Sequence, residues 1–124
     1  MYNNENDFNN KYCKRTKNLA IAVCKEFNAA QSKESTRVVV RQILRSATSV
    51  AANFRAASRA RSRAEYYSKI CIVVEECDET LFWLEILNEA DLYPKGRLVE
   101  KIVESNELLK IFSTTKKKLR DRIS

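Results

Sequence analysis

Between Thr36 and Ala64 the chain carries Arg37, Arg41, Arg45, Arg55, Arg59, Arg61 and Arg63, and no aspartate or glutamate. Guanidinium groups stay charged at any physiological pH and grip phosphate oxygens in pairs. The chemistry open to this set is therefore polyanion binding rather than proton transfer. A second basic run, Lys116, Lys117 and Lys118, adds point charges near the C-terminus, although a lysine run of this kind also reads as a solvated helix end. Few aromatic residues accompany the arginines. Phe54 lies in apolar phase, and Tyr66 and Tyr67 follow the run. Recognition of charge and shape is thus expected over sequence-specific reading of single strands.

Other chemistries find little to work with. The chain has no histidine, the commonest general base near neutral pH. It contains no glycine-rich phosphate loop and no nucleophile elbow. Glu75, Glu76, Asp78 and Glu79 form an acidic run, but on a helix they point in several directions and read as a solvated or ion-paired face. Cys13, Cys24, Cys71 and Cys77 contain no Cys-x-x-Cys pair. They read as small apolar core residues in a reducing cytosol, with no metal site. A non-enzymatic protein without cofactors is expected.

The net charge of +7 is unevenly distributed. Residues 35–64 hold seven basic and no acidic groups, whereas residues 65–91 hold one basic and eight acidic groups. Two readings follow. In one, the arginines meet RNA or DNA. In the other, the acidic segment of a neighbouring helix or subunit pairs with them, fixing register and partner choice. The charges then hold a protein-interaction scaffold together. Lys11, Lys14, Arg15 and Lys17 of the basic N-terminal segment, like the lysine run, remain unpaired in that second reading.

These side chains need elements to hold them. One glycine and one proline in 124 residues argue against many strands joined by tight turns. The length suits a single domain over residues 1–124, with residues 1–9 and 120–124 expected to fray. A first helix is expected over about Asn10 to Asn28, with Tyr12, Leu19, Ala20, Val23 and Phe27 inward. After a loop at Gln31–Glu34, Ser35 or Thr36 can cap a second helix. Its apolar stripe is Val40, Ile43, Leu44, Ala47, Val50, Ala51, Phe54 and Ala57. Ser62 and Glu65 form the pattern Ser-x-x-Glu that opens a helix, so the second helix should end between Ala57 and Arg61. A break there moves Arg59 and Arg63 off the bearing of Arg41 and Arg45.

The third helix, about Arg63 to Glu89, shows a seam of Tyr67, Ile70, Val74, Cys77, Leu81 and Leu84 at alternating three- and four-residue steps. Ile72, Phe82, Trp83 and Ile86 lie off that seam. A helix apolar on two sides needs two partners, so these four are expected at an interface between copies of the chain. Pro94 suits the first position of a fourth helix. There Leu98, Ile102, Leu109 and Phe112 face inward, with Leu119 and Ile123 in phase beyond, on last turns expected to stand free of the core. The fold class is all-α, an antiparallel up-and-down four-helix bundle that assembles into a homo-oligomer. No stretch has the apolar length of a membrane span or a signal peptide, and a cytoplasmic location is expected.

Two central motifs carry a resemblance. The run from Arg45 to Ala57, RSATSVAANFRAA, continuing as RARSRAEY from Arg59 to Tyr66, is one; VEECDETLFWLE from Val74 to Glu85 is the other. Both resemble the bacterial four-helix bundle family encoded in intervening sequences of 23S ribosomal RNA genes. Asp91-Leu92-Tyr93-Pro94 and Glu104-Ser105-Asn106-Glu107-Leu108 look similar too, so the resemblance spans about Lys11 to Phe112. Many members carry Ala-Glu-Gly after the residue matching Asn53; the Arg55-Ala56-Ala57 found here is similar to an arginine-rich branch. The resemblance implies a four-helix subunit in a ring-like homopentamer. A related branch is the accessory protein of diversity-generating retroelements, which partners a reverse transcriptase and nucleic acid. Expected partners are thus further copies of the chain, RNA or DNA, and a reverse transcriptase or ribosome-related protein.

Overall fold

The computed structural model describes residues 5–123, the side chain of Ile123 excepted. Four helices follow in order: α1 Glu5–Glu26, α2 Glu34–Ser58, α3 Arg63–Glu89 and α4 Val99–Ile123. The expected all-α four-helix architecture is present. Phe8 on α1 lies against Phe54 near the end of α2, and Tyr12 meets Phe112 of α4 edge-on. At the far end Lys101 of α4 reaches Glu26 of α1. Sequential neighbours therefore run antiparallel, and α4 returns beside α1, the sparsest of the four sides. Val23, Ile43, Val50, Phe54, Ile70, Val73, Leu84 and Phe112 are completely buried between them.

Several boundaries differ from the sequence reading, each because a tertiary contact outweighs local preference. α1 begins at Glu5 rather than about Asn10, so residues 5–9 are not frayed. The Phe8 ring lies 4.6 Å from Tyr12, and Asn9 is buried with its Oδ1 accepting a hydrogen bond from the Tyr66 hydroxyl. Those contacts hold an asparagine-rich stretch of poor intrinsic helix propensity. Residues 1–4 and 124 of the expected frayed ends lie outside the described residues.

α2 starts without a side-chain cap: Lys33 stands at the N-cap, not Ser35 or Thr36. Thr36 is instead buried, its hydroxyl 3.4 Å from the Leu92 carbonyl. The far end of α2 falls inside the expected interval, at Ser58, with Arg59 at the C-cap. Ser62 then opens α3 as its pattern predicts, its Oγ accepting from the Glu65 amide at 3.1 Å.

The α3 seam is shifted at two of its expected positions, Tyr67 and Val74, while Ile70, Cys77, Leu81 and Leu84 are buried as expected. Tyr66, Ile70, Val73, Cys77, Thr80, Leu84 and Leu87 form a buried row at four- and three-residue steps, with Leu81 buried beside it, while Tyr67 and Val74 are half-buried. Thr80 is the deceptive member. Its hydroxyl lies 2.9 Å from Ser46 Oγ, which donates to the Gln42 carbonyl at 2.8 Å, so a polar side chain is satisfied inside the α2–α3 contact.

Pro94 does not open α4. It belongs to a longer connection, where Asp91 (φ 56°) and Gly96 (φ 84°) adopt left-handed backbone and Arg97 donates its amide to the Pro94 carbonyl. Leu108 is buried where Leu109 was expected, and Leu109 is half-buried. The last turns do not stand free, since Leu119 is buried in the core; the expectation for the Ile123 side chain lies outside the described residues. Cys77 is buried, Cys13 and Cys71 are half-buried, and Cys24 is exposed rather than in the core. No helix among the described residues is long and apolar enough to cross a membrane.

Candidate nucleic-acid interface

The seven arginines do not share one face, because the chain turns at Ser58. Arg37, Arg41, Arg45 and Arg55 project from α2, and Arg37 and Arg55 stand about 27 Å apart along its axis at ~1.5 Å per residue. Arg37 is held locally, by Glu34 and by the Gln31 carbonyl at 3.3 Å. Arg41 is exposed and makes no ion pair among the described residues.

Arg45 is the one arginine of α2 that reaches a carboxylate of α3 among the described residues. Its guanidinium donates to both Glu76 oxygens at 2.9 and 3.2 Å and to Glu79 at 2.6 Å. The arginine beside it holds the Glu76 carboxyl below the usual carboxylate range. Glu79 also accepts from Trp83 Nε1 at 3.3 Å. Elsewhere the acidic helix is open: Glu75, Asp78, Glu85 and Glu89 are exposed without ion pairs among the described residues.

The densest cationic region is an end of the bundle. There the α2–α3 turn, the first turns of α1 and the last turns of α4 surround a groove of about 620 Å³. Arg61, Arg63 and Lys118 line it, joined by Arg122, which lies in the helical last turn of α4 and not in a frayed end. Of these, Arg61 reaches Glu65 at 3.3 Å but is 88% exposed; Arg63, Lys118 and Arg122 make no ion pair among the described residues. The one carboxylate on the lining is Glu5.

Arg55 and Arg59 belong to the same end, exposed and likewise without ion pairs among the described residues, and Lys116 and Lys117 lie outside the groove. Part of this charge has a local structural role, since cations in the last turns of α2 and α4 oppose the negative ends of those helices. Six arginine and lysine side chains at one end exceed what two helix ends require.

The residues expected at a subunit interface divide. Ile72 and Phe82 are exposed, Phe82 to 50%, and Phe82 packs edge-on against Trp83 with centroids 5.0 Å apart. Trp83 and Ile86 are half-buried and lean on the subunit's own core. Val99 and Val103, one turn apart on α4, are exposed to 52% and 58%. Leu98 and Ile102 next to them supply a sufficient inward stripe, so apolar periodicity alone does not single them out.

Comparison with known proteins adds two findings. Residues 9–114 match the family described as 23S rRNA-intervening sequence protein. A crystal structure of a protein of unknown function from the S23 ribosomal protein family of Bacteroides thetaiotaomicron superposes with a TM-score of 0.78 at 28% identity; the match covers 88% of this chain and 97% of that one. No curated protein matches the chain.

Proposed function

The chain belongs to the 23S rRNA-intervening sequence protein family, and from that footing we propose that it is a non-enzymatic basic module whose bundle end binds RNA. The observation that carries this reading is the convergence of Arg55, Arg59, Arg61, Arg63, Lys118 and Arg122 at one end, with Glu65 the only carboxylate paired to any of them among the described residues. Unpaired cations held by rigid helix ends neutralise phosphates without first breaking internal ion pairs. The family description refers to 23S rRNA, so RNA is the polyanion to test first. Arg41 and Arg37 at the opposite end would make secondary contacts, and Arg45 none.

Generic RNA titrated across salt concentrations tests the reading. Binding should weaken steeply with salt, by roughly one unit of logarithmic slope per phosphate contacted. Replacing Arg61, Arg63 and Lys118 together by glutamate should remove most of the affinity. Absence of binding at low salt would overturn it.

A second reading, a self-assembled scaffold, is favoured by a different observation. The exposed face of α3 sets Phe82 among Glu75, Asp78 and Glu85, while α2 of the same subunit exposes unpaired Arg41 and Arg55. Two unlike surfaces of opposite charge suit head-to-tail contact between copies, which closes into a ring when the rotation permits. The two readings are compatible: a ring would present several basic ends and raise avidity for one RNA.

A further inference from the structure

The groove at the basic end has a floor that charge alone does not explain. Phe8, Ala57, Ala60 and Leu119 supply apolar wall. Asn9 and Tyr66 also line it, each only 6% exposed, with Tyr66 donating to Asn9 Oδ1 at 2.9 Å. That bond leaves the Asn9 amide nitrogen as a donor with no partner among the described residues, on a side chain more than nine-tenths buried and lining the groove. Above this floor stand Arg63, Lys118 and Arg122.

We propose that the groove takes a nucleoside phosphate: an aromatic base against the apolar wall, its edge accepting a hydrogen bond from the Asn9 amide, and its phosphate among the rim cations. The inference rests on the RNA-binding reading and deepens it. A bare phosphate would have no use for the apolar wall, and a fatty acid none for the amide. A nucleotide matches all three features, because a base has a π-face and edge acceptors and carries its anion at a distance. The volume lies within the usual range for small-ligand sites, about 300–1,000 Å³. The nucleotide could be an unstacked residue of an RNA strand or a free one, and the chemistry recognised is the same.

The test compares five probes on the intact chain: inorganic phosphate, uridine monophosphate, adenosine monophosphate, a single-stranded oligoribonucleotide and a blunt RNA duplex. The readouts are calorimetric affinity and amide chemical shifts. The proposal expects a monophosphate to bind at least tenfold more tightly than phosphate, with shifts concentrated at residues 5–9, 57–66 and 115–122. Ala60→Phe, which fills the groove without changing charge, should reduce monophosphate affinity at least tenfold. Asn9→Asp, which keeps the acceptor for Tyr66 but removes the donor, should do the same if Ala60→Phe fails to fold.

A strand seated in the groove predicts that the oligoribonucleotide outbinds the duplex; a free nucleotide as occupant predicts monophosphate binding with no preference between those two. Equal affinities for phosphate and monophosphate, or shifts centred on Arg37 and Arg41, overturn the groove proposal while salt-dependent RNA binding leaves the wider reading standing. No binding by any probe overturns both.

Discussion

Arg45 and Arg63 illustrate how position divides identical side chains. Arg45 is clasped by Glu76 and Glu79, whereas Arg63 stands at the groove without an ion pair among the described residues. Replacing Arg45 by alanine should lower unfolding stability by about 1 kcal/mol, the upper range for a partly exposed pair, and leave RNA affinity unchanged. Arg63→Ala should leave the urea midpoint in place and reduce the salt slope of RNA binding by about one. Ser105 makes the opposite point about burial. It is fully buried between α3 and α4, its hydroxyl unpartnered among the described residues while its carbonyl accepts from Cys77 Sγ. Ser105→Ala should therefore raise stability by about 1 kcal/mol, seen as a higher denaturant midpoint at constant slope.

Between elements, the sparse α1–α4 side is closed by charge at both levels of the bundle. Arg15 bridges Glu104 and Glu107, and at the far end Glu26 accepts from Tyr93, Arg97 and Lys101. The Glu26 side chain is only 9% exposed. The Tyr93 hydroxyl, then Lys101 and Arg97, hold its carboxyl below the ordinary glutamate range, while burial and the same carboxylate push Tyr93 up to about 12. A folded Glu26 value below the unfolded value of about 4.3 means that this stabilisation is present above that pH and is lost as pH falls through the folded value. The urea midpoint should hold between pH 7 and 5 and drop below about pH 4. Glu26→Gln should cost about 1.5 kcal/mol at pH 7 and flatten the acid limb, because the group that titrates is gone.

At the scale of the whole molecule, exposed apolar residues occur on all four helices, and Phe82 is the largest of them. Its ring sits in an acidic surround on α3, opposite in sign to the bundle end and to the open arginines of α2. Light scattering at micromolar concentration should find an assembly larger than one subunit, and Phe82→Glu should weaken association at least tenfold without lowering helicity. A wild-type monomer at that concentration would end the scaffold reading and the avidity that a ring would confer. RNA affinity of the single basic end is a separate quantity and would survive that result.

Four helices, their order and the break between α2 and α3 were legible in the chain, because 3.6-residue apolar periodicity and the Ser62 cap are local signals. Those signals also found the inward rows of α1 and α2 nearly residue by residue. They failed where a distant partner decides the matter: Asn9 and Tyr66 extend α1 together, Thr36 leaves its capping role for Leu92, and Thr80 enters the core because Ser46 meets it. The cationic composition was plain from the sequence alone, but a run of arginines does not say which of them are neutralised. Tertiary structure decided that, by setting Arg45 against Glu76 and Glu79 and by folding residues 61–63 and 118–122, far apart in the chain, around one apolar hollow. Charge type is a property of the residue, whereas pairing and convergence are properties of distance in space.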